Sequence, residues 1–320
     1  MTNIFELINI NLQLFAENTQ VTTQSSLSDE MKTFYSDYLI DNAVPKLVHD
    51  QFGQKHPIPK NGGKTIEFRK YSPLPKLLTA LTEGVTPDGQ SLTVSTLEAT
   101  VAQYGGYITL SDVLLLTAID NNLVQATKLL GNQAGATLDT ITREVLNGGT
   151  NVVYAGGVAS RDAVTGKLTV DDIKKAVRAL KVQNAEKIGD SFVAIIHPDV
   201  TYDLTNDPTW QAVKDYDPKD WYEGEIGKIA GVRFVETTEA KIFEGGIYST
   251  LVLGDNAYGV TEIEGGGLQH IVKQLGSAGT ADPINQRATV GWKATKVAER
   301  LVEQFMVRIE SKSTFEGAAN

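Results

Sequence analysis

Between Gly62 and Gly148 the chain reads as two strand-like arms followed by one long helical pattern, and no other feature restricts the possible folds as strongly. The arms run over Lys64 to Glu83 and Ser91 to Leu110, joined by the turn Gly84-Val85-Thr86-Pro87-Asp88-Gly89-Gln90. An isolated two-stranded ribbon has little face to bury and is marginal in water. The arms must therefore lie on something, either the rest of their own fold or a neighbouring copy. The helical pattern keeps Leu123, Ala126, Leu130, Ala134, Leu138, Ile141 and Val145 on one face from Asn121 to Asn147. At the standard rise this is a rod of about 40 Å, stopped by Asn147-Gly148-Gly149. Gly131 and Gly135 weaken the helix, which implies a close packing contact on that side. An extended arm beside a spine helix points to a protein that assembles rather than to a self-contained enzyme.

Within the arms, Ile66-Glu67-Phe68-Arg69-Lys70-Tyr71 alternates like an exposed strand, and Ser72-Pro73-Leu74-Pro75 breaks or bends it. The return passes through Leu92, Val94, Val101, Tyr107 and Ile108. Lys64, Arg69, Lys70 and Lys76 make the arm basic; they are either a solvated strand face or charges that set register against a neighbour's acidic surface. Upstream, Met1 to Ser28 mixes amides and hydroxyls as a flexible arm does. Asp29 to Val48 carries helical spacing behind Ser28 as N-cap, and Phe52 to Gly63, with Pro57 and Pro59, is a connector. Beyond Gly156-Gly157 helices and strands alternate. Thr169-Val170-Asp171-Asp172 caps a helix through Ile173, Ala176, Val177 and Leu180. Phe192 to Ile196 is a buried-type strand, and His197-Pro198-Asp199 starts the next helix. Further strands are expected at Val232 to Val235, Tyr248 to Leu253, Tyr258 to Ile263 and Phe305 to Glu310.

A length of 320 residues admits one large domain or two of ordinary size, and 41% hydrophobic with 21% charged residues is the composition of a folded protein. The formal charge of -10 argues against a dedicated nucleic-acid binder, whose affinity comes from Lys and Arg on phosphates. It suits a protein that must stay soluble at high concentration, or one that lines DNA without gripping it. The absence of cysteine excludes disulfides, thiolate catalysis and cysteine zinc sites. Ile4 to Phe15 is apolar, yet Glu6, Asn9, Asn11 and Gln13 interrupt it and no basic residue precedes Lys32, so it does not read as a secretory signal. No stretch has the roughly 20 apolar residues of a membrane span. The expected location at synthesis is the cytoplasm.

The usual signatures of chemistry are missing. Asn61-Gly62-Gly63-Lys64-Thr65 resembles the end of a phosphate-binding loop, but Ile58 stands where the motif needs glycine and a strand follows where a helix should. His49, His56, His197 and His270 show no metal-ligand spacing, and His197 beside Asp199 reads as a turn residue. Ser191, Ser249 and Ser277 lack a nucleophile elbow. Asp203, Asp207, Asp215, Asp217 and Asp220, interleaved with Trp210, Tyr216, Trp221 and Tyr222, do not follow a calcium-loop pattern and read as a solvated loop with aromatic packing at a subunit contact. Catalytic, cofactor-binding and metal residues are therefore expected to be absent, as is any cofactor. Trp210 and Trp221 join Lys64, Arg69, Lys70 and Lys76 as subunit-contact candidates.

Several stretches together resemble the major capsid proteins of tailed bacteriophages with the HK97-like fold, and most nearly the N-four-like branch of phages and prophages of Gram-positive bacteria. Asn11-Leu12-Gln13-Leu14-Phe15-Ala16-Glu17 is similar to the start of many capsid-operon proteins. Gly63 to Tyr71, Leu81 to Pro87 and Gln103 to Ile108 resemble the opening, distal part and return of the family's extended loop. Gly291-Trp292-Lys293 and Glu303 to Glu310 resemble the closing strand of its peripheral domain.

The resemblance implies an α+β chain in five parts: an N-terminal arm and short helix (1–50), an extended β-hairpin loop (51–110), a spine helix (111–150), an axial domain (151–285), and C-terminal strands completing the peripheral domain (286–320). It implies a structural protein, not an enzyme, that self-assembles into pentamers and hexamers of an icosahedral shell around double-stranded DNA, without sequence-specific binding and without a membrane. Scaffold, portal and decoration proteins are the implied partners, and the virion, after assembly in the host cytoplasm, the location. Gly62, Gly63, Gly105 and Gly106 are hinge candidates that would absorb the angular difference between pentamer and hexamer. Some family members cross-link through a lysine near the loop tip; Gly84 to Gln90 has none and Lys76 sits back from it, so no cross-link is expected. The alternatives are an encapsulin-like bacterial compartment and a virion decoration or adhesin protein.

Overall fold

A computed structural model of the protein describes residues 19–21 and 48–320, apart from 73, 82, 85, 87, 118–121, 215–226, 278, 280 and 281. The flexible arm expected over 1–28 and the helix expected over 29–48 thus lie almost wholly outside the described residues.

In chain order the structure contains β1 (Thr19–Val21), β2 (Gln54–Lys55), β3 (Thr65–Tyr71), β4 (Val94–Thr100), β5 (Ala102–Ser111), α1 (Asp112–Thr117) and α2 (Asn122–Asn147). Next come β6 (Val152–Tyr154), α3 (Val170–Val182), β7 (Phe192–Ile196), α4 (Pro198–Thr205), α5 (Pro208–Lys214), β8 (Lys228–Ile229) and β9 (Val232–Glu236). Then follow β10 (Ile242–Phe243), β11 (Ile247–Leu253), β12 (Tyr258–Thr261), β13 (Gln269–Lys273), β14 (Arg287–Arg300) and β15 (Met306–Ser311). These elements form two compact units. One gathers residues 103–137 and 266–294 with what is described of 1–47; the other gathers 48–102, 138–265 and 295–320.

The larger unit is built on a seven-stranded sheet in the order β6-β15-β11-β7-β9-β8, with β10 also paired to β11. Strand β7 reads as an unbroken apolar run, FVAII, because both faces are covered. Successive side chains point to opposite faces. Phe192, Ala194, Ile196, Val252, Val307 and Ile309 therefore join one core, with Ile173, Val177 and Leu180 of α3 and Val200 and Leu204 of α4. Ile195, Leu251, Leu253 and Met306 join the other, with Leu146 and Tyr258. Helix α3 starts where expected. Thr169 Oγ1 accepts from the Asp172 N–H and donates to Asp172 Oδ2 at 2.7 Å, giving an orphan donor of the first turn a partner. Helix α4 starts at Pro198, with the Asp199 N–H donating to His197 Nδ1 at 3.1 Å. At the far edge Arg161 grips the buried Glu310 bidentately, both contacts 2.7 Å, and Arg308 adds a third at 2.8 Å.

The six-stranded sheet has the order β1-β5-β14-β12-β2, with β13 also paired to β14. Strand β14 is 14 residues long, which lets it meet β13 through Thr289–Lys293 and β12 through Val297–Arg300. In the smaller unit, helix α2 buries Leu123, Ala126, Leu130 and Ala134, as the period requires. The C-terminal stretch divides between the sheets, β14 entering one and β15 the other.

The two arms differ from the sequence reading in extent. Pairing covers Thr65↔Thr100 to Tyr71↔Val94 and, among the described residues, is extended by one bond at each end, from the Val101 N–H to the Lys64 carbonyl at 2.8 Å and from the Ser72 N–H to the Thr93 carbonyl at 3.0 Å. The proline pair at 73 and 75 removes ladder donors just where the strand ends. The return arm is not one strand either: it leaves its partner at Val101, and β5 belongs to the six-stranded sheet.

Candidate functional site

The arm has two chemically distinct halves. At its base, Ile66 faces Ala99 and Phe68 faces Leu97 across the pair. Ala99 is buried, and the Phe68 ring lies against β12 at Gly259, where an added methyl would come within 3.3 Å of it. The base is thus seated on its own unit. Beyond Tyr71 the apolar side chains have nothing among the described residues to cover them. Leu74, Leu77, Leu81 and Leu92 are exposed, Leu78 to 90%. A run of exposed leucines on one loop is the kind of apolar patch that marks interaction surfaces.

The basic residues follow the same arm. Lys64, Arg69, Lys70 and Lys76 are all exposed. Arg69 reaches Glu67 on its own strand at 3.3 Å, with both side chains solvated, which contributes little. Lys64, Lys70 and Lys76 make no ion pair with the described residues.

Ahead of the arm, the segment before β2 is held by a buried polar network that sequence reasoning missed. The His49 N–H donates to Asp139 Oδ1 at 2.8 Å, and His49 Nδ1 lies 2.7 Å from Asp139 Oδ2. Thr142, one turn along α2, donates to Asp50 Oδ1 at 2.5 Å. Lys296 of β14 donates to the other Asp50 oxygen and, at 2.8 Å, to the Leu138 carbonyl. The Tyr258 hydroxyl donates to the His49 carbonyl. Burial pulls the Lys296 amine below its usual value, with Asp50 acting against the shift. Burial, and then the Asp50 charge, push the Tyr258 phenol well above its usual range. Asp50 is held by Lys296 and Thr142 and Asp139 by His49, so the network ties the segment before β2 to α2 and β14 in one geometry. The available signal was the polar set Asp139, Thr142, Arg143 and Asn147, which recurs on one helix face and is buried.

The remaining candidates that are described are engaged by their own chain. Trp210 is 2% exposed and meets Phe234 edge-on at 5.5 Å between ring centres, so its own chain encloses it and little indole surface is left for a neighbour. Trp221, with Tyr216, Tyr222, Asp215, Asp217 and Asp220, lies outside the described residues. Asp203 accepts from the Thr314 N–H and Ser313 hydroxyl, each at 2.7 Å, and staples the segment after β15. Asp207 accepts from Val170 and Thr209 N–H groups. Burial lowers the His197 pKa, and its Nδ1 is engaged in the α4 cap. Tyr248 donates to Asp199 Oδ2 at 2.7 Å, and burial with that carboxylate raises its phenol to about 12.

Three of the four glycines, Gly62, Gly105 and Gly106, occupy tight places, while Gly63 is set by its backbone conformation. A methyl on Gly62 would sit 2.9 Å from the Pro59 carbonyl, and Gly63 adopts φ +87° in the turn that opens β3. That turn runs straight into a strand, so the phosphate-loop likeness ends there. Gly105 and Gly106 lie within β5, where added methyls would stand 2.7 Å from the Trp292 carbonyl and 2.8 Å from Gln133 Oε1. Their small size serves close strand and helix approach. Among the described residues no group of three His, Asp or Glu side chains could hold a metal ion, and no helix is long and apolar enough to cross a membrane.

Residues 93–303 match the sequence model of the phage capsid protein family. No curated protein matches the chain in sequence. Among solved structures, the chain is similar to the capsid of cyanophage Pam1, at 13% identity and a TM-score of 0.66, over 95% of this chain and 98% of that one. It is similar to the capsid of cyanophage P-SCSP1u at 13% identity and a TM-score of 0.66, over 84% and 89%. A virus-like particle from Pyrococcus furiosus matches at 11% identity and a TM-score of 0.51, over 87% and 98%.

Proposed function

This chain belongs to the phage capsid protein family and has its HK97-like fold, and on that premise we propose that it builds an icosahedral shell of pentamers and hexamers around double-stranded DNA. The observation that carries the proposal is the split arm: a base seated on its own unit and a distal loop of uncovered leucines. Among the described residues nothing covers this loop, and a neighbouring copy is the surface on which this reading buries its apolar area. At roughly 25 cal/mol per Å² even a few leucines give a useful contact, and many modest contacts per subunit sum over a closed shell.

In this reading 51–110 is the extended loop, the segment around α2 belongs to the peripheral domain, and the seven-stranded sheet with α3 and α4 is the axial domain around the five- and six-fold centres. The N-terminal arm, the N-four-like branch, a non-enzymatic role, scaffold, portal and decoration partners, and assembly in the host cytoplasm belong to the same proposal. The net charge of -10 supports confinement of DNA by the wall rather than binding to it.

Replacing Leu77, Leu78 and Leu81 by Ser tests the proposal. These side chains touch little of their own chain, so the thermal midpoint should stay unchanged while association in sedimentation velocity is lost. Unimpaired association would overturn the role of the loop. A second reading, an encapsulin-like compartment, takes support from the virus-like particle match; particles that hold protein cargo and no DNA would favour it.

A further inference from the structure

Helix α3 turns Ile173, Ala176, Val177 and Leu180 inward. On its outer side Lys174, Arg178 and Lys181 fall at i, i+4 and i+7, so three cations share a stripe about 10 Å long. With Val177, Val182 and Ala230 they line an open groove of about 500 Å³. Val182 is 61% exposed. The adjacent Lys175 is held by Asp171 and Asp172 at 2.8 and 3.1 Å, whereas Lys174, Arg178 and Lys181 have no carboxylate partner among the described residues. In a chain with net charge -10, a cationic stripe over apolar side chains that meets no carboxylate among the described residues is a surface suited to an acidic, partly apolar partner.

The complement is present in the same sequence. The stretch 215–226 carries Asp215, Asp217, Asp220, Glu223 and Glu225 against one lysine, with Tyr216, Trp221 and Tyr222 among them. Duplex DNA offers phosphates but nothing for the apolar side chains of the groove. An acidic stretch with aromatic rings satisfies both, ring faces also being favoured partners of Arg. We propose that the α3 groove receives the 215–226 stretch of a second copy of this chain, forming a charge-matched contact between neighbouring subunits. The proposal rests on the shell reading above and names one of its contacts.

Two full-length variants test it by sedimentation velocity at about 0.1 M salt, where charge pairs are only partly screened. Arg178→Glu with Lys181→Glu reverses the groove; Asp217→Lys with Asp220→Lys reverses the stretch. Each alone should raise the concentration needed for association by about tenfold or more, since like charges would face each other, with thermal midpoints unchanged. A chain carrying all four changes should associate like the wild type, and an equal mixture of the two variants should regain association in pairs and even-numbered rings, where alternating subunits restore the pairing. Association of the groove variant at wild-type concentration overturns the contact and leaves the shell reading standing. Restoration in the fourfold variant but not in the mixture places the contact within one chain and overturns it as well. Unaltered association, with a short DNA duplex retarded by the wild type and not by the groove variant, assigns the groove to phosphate instead. A wild-type chain that stays monomeric at every concentration overturns both readings.

Discussion

At Lys296 an amine sits inside the larger unit against Asp50 and the Leu138 carbonyl, with Thr142 completing the same carboxylate. Removing one member strands the other in a medium that solvates it poorly, so Lys296→Met should cost about 3–5 kcal/mol. Pairing it with Asp50→Leu should recover much of that loss, which urea unfolding of the three variants would measure; equal losses in single and double variants would contradict the account. The acidic residues give a second expectation. Burial alone would raise Asp203, Asp207 and Glu303, yet the hydrogen bonds they accept hold all three below the ordinary 3.8 and 4.5. The unfolded chain therefore takes up protons first on acidification, so their stabilisation is complete above those values and is withdrawn as the pH falls below them. The thermal midpoint should drop between pH 5 and pH 3, and Asp203→Asn should flatten that drop. None of these partnerships was legible in the sequence, because Asp50 and Lys296 stand 246 positions apart and a titratable pair leaves no periodic trace. Trp210 misled for a related reason: an aromatic among aspartates looks like a surface, and only the packing of Phe234 puts it inside.

Elements were far more legible where a period runs long. Helix α2 falls over Asn122–Asn147, one residue from the expected start, since a single apolar stripe held over 26 residues at helical spacing fits neither a strand nor a loop. The Thr169 and His197-Pro198 caps placed α3 and α4 because each uses local hydrogen bonds that the sequence spells out. The arms were harder. Alternation found β3, but where pairing stops depends on prolines, and which sheet β5 enters depends on β14 nearly two hundred residues away. The glycines at 105 and 106 follow that choice, since their reason is the approach of Trp292 and Gln133. The loop tip permits a direct check. With no lysine from Gly84 to Gln90, boiled and denatured particles should migrate at the monomer mass of 34.7 kDa; a ladder of covalent multimers would contradict this.

For the whole molecule the order of parts carried the reading further than any single part. Arm, spine helix and alternating sheet stretch were read together as resembling the phage capsid proteins, and the family match over 93–303 shows the membership. Sheet membership was not legible at this scale: β15 follows β14 closely in sequence, yet the two strands enter different sheets. The central claim is that this chain assembles, and negative-stain electron microscopy of the purified full-length protein at high concentration tests it most directly. Closed shells, or rings of five and six subunits that convert to shells, are the expected images. A field of single subunits at every concentration and salt condition would contradict the claim.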